Sequence, residues 1–211
     1  MAAPVDRQQL SSVLGKRVLA SVVEEAQATL FAAVGAGDVV KVHNNLAVLR
    51  AFADDGGESL DLEFRDSRGL TVLMCAAHEG DTDVVKELIL AGAKLNTQSN
   101  GTKGGATALM IAVEQGHTET VQYMLSRGTC NVDCKMNGDG FTALHLLASS
   151  DVRDREGLAI AKLLVRAGAR SNAKNHSGDT PIDIALSGGK AALAIAILAG
   201  EVHFLRLLPV L

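Results

Sequence analysis

The residues best suited to chemistry in this sequence are two cysteines and a histidine. Cys130 and Cys134 are separated by three residues, and His145 follows eleven residues after Cys134. Zinc sites favour cysteine pairs with about two to four residues between them. The pattern has no fourth ligand, so it favours ordinary reduced thiols. A metal- or ligand-binding protein, or an enzyme that uses Cys130, Cys134 and His145, stays open as the alternative.

A glycine-rich stretch is the second candidate for chemistry. Residues 101–105 read Gly-Thr-Lys-Gly-Gly, which resembles the composition of a phosphate-binding loop. That loop requires a glycine, four further residues, and then Gly-Lys followed by Ser or Thr. The spacing is missing here, so a lengthened loop of the fold explains the glycines better. Cys75, the remaining cysteine, falls on the apolar face of a short predicted helix and is expected in the core.

Four copies of one pattern must position all of these residues. Each copy has Gly, any residue, Thr, any residue, and then Leu or Ile at the start of an apolar run. The threonines lie 36, 35 and 38 residues apart, at Thr71, Thr107, Thr142 and Thr180. A repeat of this length is one supersecondary unit that cannot bury its apolar face alone. The pattern therefore predicts a stack of similar units.

This frame resembles the ankyrin repeat, whose period is about 33 residues. The resemblance covers about 29–200 and is strongest over 66–189; residues 180–183, Thr-Pro-Ile-Asp, are close to the family's Thr-Pro-Leu-His. It implies an all-α solenoid of helix-turn-helix units joined by finger loops. The implied domains are an N-terminal capping helix and tail, 1–28, and an ankyrin-repeat domain, 29–211. That domain divides into a degenerate unit 29–65, repeats 66–98, 99–136, 137–175 and 176–200, and a C-terminal capping segment 201–211.

Composition excludes several classes of protein. Hydrophobic residues make up 47% of the chain and aromatic residues 3%, which suits thin layers of close-packed short helices. The net charge is -4 and no cluster of Lys and Arg stands out, which argues against a nucleic-acid partner. Three cysteines indicate a reducing compartment, so the sequence favours the cytoplasm and leaves the nucleus open. Mitochondria are disfavoured, because the basic N-terminal residues are better explained by a helix that continues into the fold. No window reaches the roughly 18 apolar residues of a membrane span.

Both ends of the chain are expected to cap the stack. Apolar residues at helical spacing predict a helix over about 7–27 that covers the first unit. A free solenoid needs an end unit with a polar outer face, but the segment from Ala191 to Leu211 is almost entirely apolar. The segment therefore either docks onto a partner subunit or a second copy of the chain, or folds back over 201–211 to seal the core.

The repeats differ from one another at the position of the family's histidine. Only His145 keeps that residue, whereas Met74, Met110 and Asp183 occupy the position in the other three repeats. In the family this histidine ties neighbouring turns together through hydrogen bonds. Such ties are expected to be fewer here, with methionine packing in their place.

The repeats also differ in length. The fingers before Thr107 and Thr142 are three and two residues longer than the finger before Thr180, and the third repeat has five additional residues within 149–157. Insertions within a repeat map to loops, often on the binding side. Binding is therefore expected around 101–105, 137–141 and 149–157.

The resemblance implies a non-enzymatic scaffold for protein–protein interaction, either an adaptor or a subunit of a larger assembly, with no catalytic residue, metal or cofactor. Ankyrin repeats bind partners through finger tips and the inner helix surface. The matching finger-tip positions are Arg68, Leu70, Ala106, Asp139, Phe141 and Asp179. The matching inner-helix positions are His78, Glu79, Glu114, Gln115, Ser149 and Ser150. Phe141 is the expected anchor, as an exposed aromatic residue in a chain with few, and Asn96, Asn131 and Asn172 match the family's frequently modified asparagine.

Overall fold

The described part of the chain is built from pairs of helices. The computed structural model describes residues 15–52, 61–101 and 104–205 of the 211. Its helices are α1 (Gly15–Gly35), α2 (Val39–Phe52), α3 (Val72–Glu79), α4 (Thr82–Leu90), α5 (Ala108–Gln115), α6 (Thr118–Ser126), α7 (Ala143–Ser149), α8 (Asp154–Arg166), α9 (Pro181–Ser187) and α10 (Ala191–Leu205).

The helices form two parallel layers. The first helix of each pair packs on the first helix of the next, in the order α1, α3, α5, α7, α9, and the second helices pack likewise from α2 to α10. The core lies between the layers, and the middle helices contribute most to it: residues 72–77 of α3 and 108–113 of α5 are all buried. Among the described residues only an isolated bridge, Arg65 to Thr71, has strand geometry. The predicted all-α solenoid is confirmed.

The threonine of the repeated frame starts each first helix. Thr71, Thr107 and Thr180 accept the backbone N–H three residues later at oxygen–nitrogen distances of 3.4, 3.3 and 3.2 Å. Such a cap satisfies one of the N–H groups that a helix start leaves unpaired and contributes about 1 kcal/mol.

At the position of the family's histidine, a side-chain hydrogen bond to the next repeat is made only in the third repeat, among the described residues. His145 Nε2 lies 3.1 Å from the carbonyl oxygen of Asp179 in the next finger, and Nδ1 lies 2.8 Å from the Thr142 hydroxyl. A carbonyl can only accept, so Nε2 carries the proton and Nδ1 accepts. The sulfur of Met74 lies 3.4 Å from the backbone nitrogen of Thr71, in the same repeat. Asp183 Oδ2 accepts hydrogen bonds from the N–H and the hydroxyl of Thr180, also in the same repeat. These substitutions therefore remove this tie.

The helices at both ends cross the predicted unit boundaries. α1 is continuous across residue 28, where the sequence analysis separates the capping helix from the degenerate unit, and α10 continues past residue 200. The division into domains and repeats stays a prediction. Residues 1–14, 53–60 and 206–211 lie outside the described residues, and with them parts of both predicted capping segments. In the ranges that are described, no helix has the length and apolar character to cross a membrane.

The additional residues of the third repeat form mostly helix. α8 has 13 residues, whereas α4 and α6 have 9 each. Asp154 and Glu156 occupy its first turn, where the helix dipole favours acids. The preceding loop is held down by Val152, which packs beside Gly116 of the second repeat. The expectation of a loop over 149–157 is therefore wrong for its second half.

Candidate protein-binding surface

Four finger turns project between the helix pairs, and hydrogen bonds define their lengths. Asp66 pairs with Leu70, Ser99 with Ala106, Met136 with Phe141 and Asn175 with Asp179, with N–O distances of 2.8–3.0 Å. The tips therefore span 67–69, 100–105, 137–140 and 176–178. All of the length added to the finger before Thr107 lies at its tip.

The long second tip rests on the first. The backbone N–H of Asn100 donates to the Gly69 carbonyl at 3.3 Å, and a Cβ on Gly101 would lie 1.7 Å from the Arg68 carbonyl oxygen. Only glycine fits at position 101, because any side chain would overlap that oxygen. Gly101 thus lets the second finger rest on the first, and the glycines lie in a lengthened loop of the fold, as predicted. Residues 102 and 103 lie outside the described set.

The predicted finger-tip residues separate into exposed and buried groups. Arg68, Asp139 and Asp179 are exposed. Leu70 and Ala106 are 7% and 2% exposed, because each closes its finger turn directly below the tip. Their prediction as contact residues is therefore wrong. They support the finger from inside and cannot reach a partner.

Arg68 is tied to the base of its own finger. Its Nε donates to Asp66 Oδ2 at 2.8 Å, and its Nη2 lies 3.4 Å from the sulfur of Cys75. Partial burial opposes ionisation of Asp66, but backbone N–H groups and Arg68 outweigh it and lower the pKa of that carboxyl group. Arg68 is thus held at the base of the first tip while its side chain stays exposed.

Phe141 is less exposed than the sequence indicated. Its ring stacks on that of His145, with centroids 5.4 Å apart and an angle of 27° between the planes. The side chain is half-buried as a result. The expectation that Phe141 is exposed is therefore wrong, because the histidine that joins repeats three and four covers one face of the ring. Its role as an anchor for a partner stays a prediction.

The inner-helix candidates lie at the C-terminal ends of three successive first helices. They end α3 as His78 and Glu79, α5 as Glu114 and Gln115, and α7 as Ser149, with Ser150 following. Glu79, Gln115 and Ser149 are exposed and the other three are half-buried. His117 Nε2 lies 2.9 Å from the His78 carbonyl oxygen, and Lys190 donates to the Ser150 carbonyl. Hydrogen bonds between repeats therefore fix this polar row in register.

The cysteine–histidine group does not form a reactive or metal-binding site among the described residues. No group of three or more possible ligands comes together there, and both nitrogens of His145 are already engaged in hydrogen bonds. Burial raises the pKa of the Cys130 thiol to about 11 and also raises that of Cys134. Thiols act as nucleophiles and ligands in the thiolate form, so these groups are poorly suited to either task. Cys75 is buried, as predicted, and its pKa is likewise raised to about 11 by burial.

The three asparagines predicted as modification sites are exposed. Asn96 also joins two repeats, because its Nδ2 donates to the Thr129 carbonyl and its Oδ1 accepts from the Asn131 N–H, both at 2.7 Å. Modification of these residues stays a prediction.

Three exposed apolar side chains on the last two helices were only partly predicted from the sequence. Leu186 at the end of α9 is 56% exposed, and Ile195 and Leu198 of α10 are 64% and 45% exposed. We call these three residues the end face. Leu186 was missed, although its register is a signal: it lies six residues after Thr180, the position that faces the next repeat elsewhere in the array.

Comparison with known proteins matches the family of ankyrin repeats, in a form with three copies, over residues 30–135 and again over 73–175. The chain is 34% identical to the B-cell lymphoma 3 protein homolog of Mus musculus over 69% of its own length and 31% of that protein's. It is 33% identical to a putative ankyrin repeat protein of Fowlpox virus over 71% of its length and 42% of that protein's. The chain thus spans less than half the length of these relatives. Since the family match extends over most of the sequence, the chain belongs to the ankyrin-repeat family.

Proposed function

We propose that this chain is a non-enzymatic adaptor or scaffold that binds a protein partner across its finger tips and the ends of its first helices. Ankyrin repeats generally mediate protein–protein interaction. The observation that carries the proposal is the row of exposed polar residues at the ends of the first helices of three successive repeats, Glu79, Gln115 and Ser149. Hydrogen bonds between the repeats hold this row in register. A rigid row of this kind can contact an extended surface without paying a large ordering cost on binding. We place the protein in the cytoplasm, with the nucleus as the alternative.

The test compares two glutamine substitutions that introduce the same charge. Gln115 lies on the proposed surface, whereas Gln122 is exposed on α6 in the other helix layer. Proteins captured from a cell extract by the unaltered chain and by Gln122→Arg should be captured about tenfold less by Gln115→Arg, which corresponds to about 1.4 kcal/mol. Equal losses with both variants, or none with Gln115→Arg, would place the binding surface elsewhere.

We also propose that the end face docks onto a partner subunit or a second copy of the chain. Its three large apolar side chains are exposed on the last two helices of the array, and burying apolar area contributes about 25 cal/mol per Å². If the partner is a second copy, light scattering of the unaltered chain should show an assembly. The triple variant Leu186→Gln, Ile195→Gln and Leu198→Gln should then be a monomer. The alternative, in which 201–211 seals the core, predicts a monomer that aggregates when the chain is shortened to residue 200.

A further inference from the structure

We propose that the groove at the C-terminal ends of α4 and α6 binds an acidic segment of a protein partner. The groove has a volume of about 660 Å³ and lies between the turn of the first repeat, 92–97, and that of the second, 127–129. It shares no residue with the finger-tip and inner-helix surface. Binding at the groove can therefore be tested separately from binding at the finger-tip and inner-helix surface.

The side chains that line the groove carry positive charge and no negative charge. Lys94 and Arg127 are both exposed lining residues. Neither forms an ion pair with an acid anywhere in the described ranges, and Arg127 instead lies 5.9 Å from the ring centroid of Tyr123. The remaining polar lining, Asn96, Thr97 and Thr129, is neutral. A ligand that enters the groove therefore meets two available cations.

On each side of the groove, the junction between one finger base and the next turn contains an acidic side chain that accepts hydrogen bonds across it. Before the groove, the carboxylate of Glu63 accepts the backbone N–H of Lys94 at 3.1 Å and the hydroxyl of Thr97. After it, Asp133 accepts the backbone N–H of Arg170 at 3.0 Å and pairs with its guanidinium group at 3.3 Å. In each case an acidic side chain from one finger base reaches the backbone of the next turn, and Asp133 also pairs with the cation of that turn.

At the groove, the residue that reaches from one repeat to the next is Asn96, whose side-chain amide is neutral. It bridges to Thr129 and Asn131 with the hydrogen bonds described above, and so it joins the repeats without adding a negative charge. Glu63 does not line the groove, and its carboxylate is held by two donors of the turn, the Lys94 N–H and the Thr97 hydroxyl. A partner carboxylate would thus supply the charge that this junction lacks.

The end of α4 does not oppose such a ligand strongly. A helix C-terminus carries partial negative charge on its last carbonyl groups, but three of these accept N–H groups from the turn. Ala91 donates to Glu87, Gly92 to Ile89 and Ala93 to Leu88, at 2.9–3.1 Å. The aliphatic side chains of Ile89 and Leu95 also line the groove. The occupant that fits is therefore a segment in which acidic residues flank an apolar side chain.

The probe is a blocked, fluorescently labelled peptide, Glu-Glu-Leu-Glu-Glu-Leu, with its glutamine counterpart, Gln-Gln-Leu-Gln-Gln-Leu, as a control. Fluorescence anisotropy would measure binding to the full chain at about 50 mM and about 300 mM salt, on either side of the range where exposed charges become screened. The acidic peptide should bind at low salt and more weakly at high salt, although the protein's net charge is -4. The glutamine peptide should not bind.

Two double variants test the site with equal changes in net charge. Lys94→Gln with Arg127→Gln removes the groove cations, and Lys162→Gln with Arg166→Gln removes two exposed cations of α8. The first pair should weaken binding about tenfold and the second less than about twofold. Asn96→Asp, which places an acid where the neighbouring junctions have one, should weaken binding similarly. Thermal unfolding of each variant confirms that it folds.

Three results would overturn the proposal. Equal effects of the two double variants would show only a response to net charge, and binding of the glutamine peptide would show only apolar contact. Binding of a single-stranded oligonucleotide with the same dependence on Lys94 and Arg127 would assign the groove to nucleic acid.

Discussion

The middle of the array and its C-terminal end place equivalent residues in opposite environments. Six residues after the capping threonine, Ala77, Val113 and Ala148 are 0–1% exposed, whereas Leu186 in the fourth repeat is 56% exposed. The frame is the same, and the difference is that a following repeat covers the first three positions. Burial in this protein is thus set by the neighbour more than by the residue's own repeat, as expected for a solenoid in which each unit contacts only the adjacent ones.

The largest expected effect comes from equal truncations in the two regions. Leu109→Ala in α5 removes a side chain that is 1% exposed, so it should lower the free energy of unfolding by about 3 kcal/mol. Leu186→Ala at the end face should lower it by less than about 1 kcal/mol, because that side chain is already in solvent. Urea denaturation checks both values. Similar losses would mean that the end face is covered in solution.

Two glycines give a second matched pair. Gly80 and Gly189 have φ angles of +78° and +74°, so alanine is strained at both by about 1–2 kcal/mol. A Cβ at Gly80 would also lie 2.3 Å from the His117 ring, whereas nothing lies within 4 Å at Gly189. Gly80→Ala should therefore cost about 1 kcal/mol more, through loss of the bond from His117 to His78. Equal unfolding midpoints would show that His117 does not join these repeats.

A smaller effect concerns the histidine that joins repeats three and four. Burial lowers the pKa of His145 below its ordinary value of 6.5, and the hydrogen bond to Asp179 only partly opposes this shift. The unfolded chain therefore binds a proton more readily than the folded one as the pH falls below 6.5, and stability decreases. His145→Met, which copies the first two repeats, should lose less stability than the unaltered chain between pH 7 and pH 5. Identical pH dependence in chemical denaturation would contradict the buried neutral imidazole.

Much of the fold was predictable because local chemistry repeats. A threonine that caps a helix and a glycine that ends a finger act on their own backbone, so four copies in register identify the helix pairs. The prediction failed where the outcome depends on a neighbour. Leu70 and Ala106 lie at finger tips in sequence but close the turns below them, and Phe141 is half covered by His145.

The groove between the first two turns was missed for the same reason. Its charge depends on whether Glu63, Asn96 or Asp133 reaches across a junction, and no local pattern states which residues meet there. The insertion in the third repeat was found by counting, but its helical form follows from Asp154 and Glu156 at a helix start and from Val152 packing on the second repeat.

Native-state hydrogen exchange tests the dependence of each repeat on its neighbour most directly. Amide protons of α3 and α5, whose residues are covered on both sides, should exchange slowest, and those of α9 and α10 fastest. The exchange rates should be measured at low and at high protein concentration. The difference in rate between the middle helices and the end helices should be smaller at high concentration only if the end face docks onto a second copy. A single common rate for all of these helices at low concentration would contradict the account, because the end repeat would then be as well covered as the middle ones.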